Sequence, residues 1–163
     1  MLEFIRERRS IRRFTGQPVT REQIDEILGA AFWAPTGRNK QEWRFIVVTD
    51  RVILEKMADI NPYAAMTRGC AFSVIVGYEG GVNDVFAQVD CGAAIQNMLL
   101  QARSMGIGSC WCALMPGSEL EGKYAEAVGF PEGFRTVASV QFGYPAEERE
   151  VPDRFDEAKI TRR

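Results

Sequence analysis

The chain has 163 residues, 46% of them hydrophobic and 26% charged, an ordinary balance for a soluble globular protein and enough for one domain with a sizeable core. With 20 basic and 22 acidic residues the net charge is −2, so no overall basic field directs the chain to nucleic acid, and any anion site must be local. Histidine is absent, which excludes Ser-His and Cys-His nucleophile pairs and the commonest transition-metal ligand, and no apolar run approaches the ~20 residues of a membrane helix.

The N-terminus, Met-Leu-Glu-Phe-Ile-Arg, carries charges where a signal peptide has its apolar core, so the expected location is the cytoplasm. Residues 2–9 read as a short helix running into Arg8-Arg9-Ser10-Ile11-Arg12-Arg13-Phe14. Cations at a helix end can simply complement its dipole. The other reading is an oxyanion clamp, because Arg8, Ser10 and Arg12 alternate and point the same way in an extended segment. Thr20-x-x-Gln23 is a capping box that opens a helix with Ile24, Ile27, Leu28 and Ala31 on one face, ending near Ala34-Pro35. Pro35 to Trp43 is rich in hydrogen-bonding groups and leads into the β-rich run Arg44–Thr49, a favourable place for ligand contacts.

Asp50 is placed to cap a helix through Met57, and Pro62 to start a short helical segment to Arg68. Ala71–Tyr78 is continuously apolar and reads as a central strand covered on both faces. From Val85 to Met105 the apolar residues fall on every side of a helix, which therefore needs cover all round. A second copy of the chain would supply it, and Gly92, Ala93 and Ala94 leave room for close approach. A glycine turn then leads into a buried strand through Cys112. Cys70, Cys91, Cys110 and Cys112 sit in apolar sequence and read as reduced core thiols; Cys110-x-Cys112 is a weak metal signal, and no metal site is expected.

Ser118-x-x-Glu121 is a second capping box, with a helix to Val128 and Gly129 as its C-cap. Thr136–Phe142 is the last strand, closed by Gly143-Tyr144-Pro145, and the tail from Ala146 to Arg163 alternates acids and bases with few apolar anchors. Four strands and about five helices in alternation make an α+β or mixed α/β domain spanning residues 1–163, with helices flanking a central sheet. Gly106-x-Gly108 is not a dinucleotide fingerprint, since it lacks the third glycine and follows a helix.

Several of these segments together resemble the nitroreductase family of FMN-dependent oxidoreductases. The family's Arg-Arg-Ser-x-Arg-x-Phe is similar to Arg8–Phe14, and its Ala-Pro-Ser-Gly-x-Asn-x-Gln-Pro-Trp loop to Ala34–Trp43. Its Asp-x-Gly-x-Ala-x-Gln-Asn helix, ending in Gly-Leu-Gly-x-x-Trp, resembles Asp90–Trp111, and its Gly-Tyr-Pro turn with a distant Arg resembles Gly143–Pro145 and Arg154. The resemblance implies an intertwined homodimer of α+β subunits, with a mainly antiparallel or mixed sheet and FMN at the interface. It implies that Arg8, Arg9, Ser10 and Arg12 hold the ribityl phosphate and pyrimidine edge, with Arg154 closing on the phosphate. Pro35, Thr36, Gly37, Asn39 and Gln41 would reach the flavin from the partner subunit, and Cys112, Ala113 and Leu114 would lie against it. The tail 146–163 would pack on the partner.

The chemistry implied is ping-pong transfer of a hydride from NAD(P)H to FMN and on to a nitroaromatic or quinone, FMN carrying the reaction with no catalytic side chain. Three departures bear on this. Thr36 stands for the family's Ser, Glu42 for its Pro, and no helix is inserted between Tyr78 and Asp84 to cover the flavin. An open site follows, and so does a second reading, a flavin-binding or regulatory protein with little turnover.

Overall fold

Short polar side chains start the helices. Thr20 accepts the Gln23 N–H at 3.3 Å, and the Gln23 side chain accepts the Thr20 N–H at 3.0 Å, completing the box that opens α2 (Arg21–Ala31). Asp50 caps α3 (Arg51–Ile60) through the amides of Val52 and Ile53, and Asp84 caps α4 (Val85–Ser104) through that of Ala87. The computed structural model describes residues 1–163 and adds a short α1 (Glu3–Glu7) and α5 (Glu119–Val128). The strands are β1 (Trp43–Val48), β2 (Phe72–Glu79), β3 (Gly108–Ala113) and β4 (Phe134–Gly143), with 3₁₀ turns at Gly37–Asn39, Pro62–Gly69 and Glu157–Lys159.

The sheet order is β1-β2-β4-β3, every neighbouring pair antiparallel. Its interior position explains the unbroken apolar run of β2, in which Phe72 to Tyr78 are all buried. The register slips at Val76/Gly77, where a Cβ on Gly77 would lie 2.0 Å from the Arg135 carbonyl oxygen; only glycine fits this bulge. On one face, Val74, Val76, Ala138, Val140 and Phe142 pack with Ile27 and Ala31 of α2 and Ile95, Met98 and Leu99 of α4. On the other, Val48 and Ile75 pack with Leu54 and Met57 of α3 and Tyr124 of α5. Each such buried side chain contributes about 1.5–3 kcal/mol, so two faces of this size account for the strand order holding without disulfides.

One expectation is met within this chain and one is modified. Helix α4 is apolar all round and, as its sequence implies, its own chain covers it on one side only: Ala87, Cys91, Ala94, Ile95 and Met98 are buried, while Val85, Phe86 and Val89 are 64%, 77% and 64% exposed. The sheet and α2 together reach only part of its circumference. The second capping box forms by half. Ser118 accepts the Glu121 N–H at 3.2 Å, yet the Glu121 carboxylate turns inward to the Gly117 N–H (2.6 Å), the Thr136 N–H (2.7 Å) and the Thr136 hydroxyl (3.2 Å). The Ser118 N–H already donates to the Met115 carbonyl, so no donor is left for the reciprocal bond. Gly129, at φ 78°, ends α5. Residues 148–163 are exposed throughout, and no helix is long and apolar enough to cross a membrane.

Candidate functional site

The arginine segment is extended and lies along the outer edge of β3. Ser10 bridges Ser109 in parallel, the Ile11 N–H donates to the Ser109 carbonyl at 2.9 Å, and Phe14 bridges Pro145. The approach is close: a Cβ on Gly108 would stand 2.9 Å from Ile11. The chain after β4 locks the segment from the far side, since the Ala146 N–H donates to the Arg13 carbonyl at 2.9 Å and the Glu147 carboxylate accepts the amides of Arg12 and Arg13.

Arg8 and Arg9 line two cavities that they share with Val151. One, of about 390 Å³, also holds Ser109 and Arg149; the other, of about 490 Å³, brings in Arg154 from the tail. Arg13 and Arg149 pair with Glu147, and Arg103 with Glu7. Arg8, Arg9 and Arg154 pair with no carboxylate. Burial first, then repulsion from Arg9 and Arg154, makes the Arg8 guanidinium easier to deprotonate than usual. The buried Nε of Arg9 has no hydrogen-bond partner. Three crowded cations with an orphaned donor fit a doubly charged phosphate, which guanidinium forks bind two oxygens at a time.

Farther along the same edge, Arg12 lines a cavity of about 460 Å³ with Asn61, Tyr63, Cys110, Trp111, Cys112, Ala113 and Leu120. Cys110 and Cys112 alternate on β3 and face the same way. The Cys112 S–H has two acceptors in reach, the Gln141 side-chain oxygen at 3.3 Å and the Tyr63 carbonyl at 3.7 Å. The neighbouring Cys112 thiol pulls the Cys110 thiol down against burial, with Arg12 and Arg8 assisting, and itself gives up its proton later than usual. Leu114 donates its N–H to the Val137 carbonyl at 2.9 Å, and its side chain is fully buried. Since Ser109 turns its carbonyl outward to Ile11, strand alternation turns the amides of Trp111 and Ala113 outward as well.

The loop before β1 is built around one carboxylate. The Gly37 N–H donates to both Asp90 oxygens, at 2.9 and 3.2 Å, tying the loop to α4. Thr36 Oγ1 accepts the Gln41 N–H at 3.2 Å, and Gln41 Nε2 donates to Asn39 Oδ1 at 2.9 Å. Arg38, Asn39 and Gln41 all have φ of 54–55°, a left-handed conformation that non-glycine residues adopt at a cost and that concentrates at ligand sites. Glu42 is paired with Lys40 at 3.3 Å, so the acid that replaces the family's proline is neutralised. This loop, with Pro35, sits by the first strand in the sheet order and the arginines by the last. Three strand spacings, roughly 14 Å, separate the two edges, and one chain does not bring the two groups together.

Glu147 and the pair Asn61 and Tyr63 were not distinguishable from their sequence surroundings as site residues. Asn61-Pro62 carries a turn-starting signal, and Asn61 Oδ1 does accept the Tyr63 N–H at 3.1 Å; nothing sets Glu147 apart from Glu148 beside it.

The model of the family described as "Nitroreductase family" matches residues 5–144. A protein of Archaeoglobus fulgidus, provisionally named NADH dehydrogenase/NAD(P)H nitroreductase, is 37% identical over 99% of this chain and 96% of its own length. The crystal structure of a protein from Bacteroides thetaiotaomicron, provisionally named in the same way, superposes with a TM-score of 0.92 at 35% identity, covering 98% of this chain and 95% of that one. A Desulfovibrio desulfuricans protein crystallised with FMN, a nitroreductase by provisional name, superposes with a TM-score of 0.82 at 30% identity, covering 99% of this chain and 95% of that one.

Proposed function

This chain belongs to the nitroreductase family, and on that premise we propose that it is an FMN-dependent oxidoreductase that takes electrons from NAD(P)H and passes them to a small acceptor such as a nitroaromatic or quinone. The observation that carries the reading is the cluster of Arg8, Arg9 and Arg154, three cations without a carboxylate partner whose charge suits the FMN phosphate. Held by these residues, FMN would supply the redox chemistry, two-electron transfer from NAD(P)H to the acceptor in a ping-pong cycle.

The chain's own residues bind and orient. Arg8, Arg9, Ser10 and Arg154 hold the phosphate end. Arg12 supplies a cation beside β3 toward the pyrimidine end, and the outward amide of Ala113 offers a hydrogen-bond donor there, on a strand end framed by Cys112 and Leu114. Pro35, Thr36, Gly37, Asn39 and Gln41 complete the site from a second copy, which makes the working unit a homodimer, with residues 146–163 packing on the partner. Each protomer is one domain of residues 1–163. Four free cysteines suit the cytoplasm.

The test is the visible spectrum of the purified protein, followed by anaerobic NADH or NADPH. The expected result is a bound flavin that bleaches and recovers its colour on addition of a nitroaromatic or quinone. A flavin that never bleaches would favour a binding protein, and a protein that stays colourless with added FMN would overturn both readings.

A further inference from the structure

The cavity along the outer edge of β3 that holds Arg12, Cys112 and Ala113 also takes in Tyr63, a side chain with no part in the reaction proposed above. Taking FMN to lie along that edge, as that reading has it, we propose that Tyr63 is the aromatic wall that selects the electron acceptor: it stacks on flat aromatic acceptors and gives no help to compact inorganic ones.

Exposure and rigidity are combined at this residue. Tyr63 is 88% exposed, so its ring packs on little of its own chain. The turn that carries it is nevertheless held throughout. Asn61 Oδ1 accepts the Tyr63 N–H at 3.1 Å, and the Tyr63 carbonyl accepts the Cys112 S–H at 3.7 Å. The next residue, Ala64, is fully buried against Cys110 and Cys112, and its carbonyl accepts the Thr67 hydroxyl at 2.6 Å. Arg51 clamps the end of the turn through the carbonyls of Arg68 and Cys70. An exposed phenol adds nothing to the fold's stability; on a fixed base, with only two side-chain torsions to order, it is a surface prepared for a flat partner.

The neighbours leave this task to Tyr63. Trp111 lines the same cavity, but its ring turns to α4, where a Cβ on Gly92 would stand 3.6 Å from it. Strand alternation puts that ring on the face opposite Cys110 and Cys112, on whose side Tyr63 lies. The β2–α4 connection offers no cover either. It is a short turn in which the Tyr78 hydroxyl donates to the Gly81 carbonyl at 3.1 Å, and no helix rises from it. An electron-rich phenol ring favours stacking with the electron-poor ring of a nitroarene or quinone, and the Arg12 guanidinium on the same cavity suits their oxygens.

The test uses the flavin-bound protein. Nitrobenzene added to the oxidised form with no electron donor present binds without reacting, and the shift of the flavin band gives its Kd. Y63A should raise that Kd at least about tenfold and Y63L nearly as much, while Y63F stays within about twofold of wild type, all four proteins having the same FMN content and starting spectrum. In stopped flow, after reduction with dithionite, the ratio of the reoxidation rate with duroquinone to that with ferricyanide should fall at least about tenfold in Y63A. A wild type that does not bind nitrobenzene, a Y63A with unchanged Kd or unchanged rate ratio, or a Y63F as weak as Y63A would overturn the wall while leaving the flavin reading intact. A protein that stays colourless with added FMN would overturn the flavin reading, and the wall with it.

Discussion

The carboxylate of Glu147 accepts the main-chain amides of Arg12 at 2.6 Å and Arg13 at 3.2 Å, with its side chain only 4% exposed. The arginine segment is thus pinned from outside as well as by β3. The Arg12 amide, then the Arg149 side chain, holds the Glu147 carboxyl below the usual carboxylate range. A lowered folded value means that the stabilisation is complete above the unfolded value, about 4.3, and is lost as pH falls through the folded one. E147Q should cost about 1.5 kcal/mol and raise the Kd for FMN about tenfold at neutral pH. In acid unfolding followed by circular dichroism, wild type and E147Q should converge below pH ~4. A constant gap down to pH ~2 would contradict the role given to the carboxylate.

Removing charge from the phosphate cluster should separate binding from stability. R8A deletes a charge-assisted contact and should weaken FMN binding by at least ~1.5 kcal/mol, somewhat more than tenfold. The same change relieves repulsion among Arg8, Arg9 and Arg154, so the flavin-free protein should melt no lower than wild type. Fluorescence titration with FMN and a thermal melt of stripped protein measure the two effects. Equal losses in both would mean that Arg8 is structural.

The elements most legible in the sequence are those with a local cause. Thr20, Asp50 and Gly129 end or begin helices through bonds made within four residues, and each does so where its sequence context places it. The arginine alternation is likewise local, and Arg8–Phe14 is extended. Contacts that depend on distant chain are illegible in advance. Glu121 has the spacing of a capping box, but its partner Thr136 is 15 residues away across a fold that the helix pattern does not reveal. Glu147 reaches 135 residues back to Arg12. The left-handed residues Arg38 and Gln41 carry no conformational signature, because nothing in an arginine or glutamine side chain favours positive φ.

Gly77 sits inside an apolar strand and reads there as one small residue among valines and isoleucines. The bulge makes it indispensable, because a Cβ would meet the Arg135 carbonyl at 2.0 Å and the Phe134 ring at 2.6 Å. Both neighbours belong to the central β2–β4 pairing and cannot swing aside. G77A should cost at least ~3 kcal/mol, lowering Tm by roughly 10 °C or preventing soluble expression. A G77A protein that melts with the wild type would show that the bulge relaxes freely.

The last prediction concerns the bare side of α4. Val85, Phe86 and Val89 are exposed on this helix, and Phe86 lies beside Gly37 in the loop that the proposed dimer takes from the other copy. In that dimer the interface and the second half of the site occupy one surface, and breaking the first should empty the second. V89R leaves the chain's own packing alone, because Val89 is 64% exposed. Across a twofold axis the arginine enters twice, opposing apolar surface and, near the axis, its own copy. Association should weaken by ~3 kcal/mol, more than 100-fold. V52R, on the equally exposed Val52 of α3, serves as control. Sedimentation velocity with detection at protein and flavin wavelengths should find wild type and V52R as coloured dimers and V89R as a colourless monomer that is still folded. If V89R stays dimeric with its flavin, α4 is not the interface. If it becomes a monomer that keeps a full complement of FMN, the loop at Pro35–Gln41 is not needed from a partner, and the 14 Å separation must be closed by the chain itself.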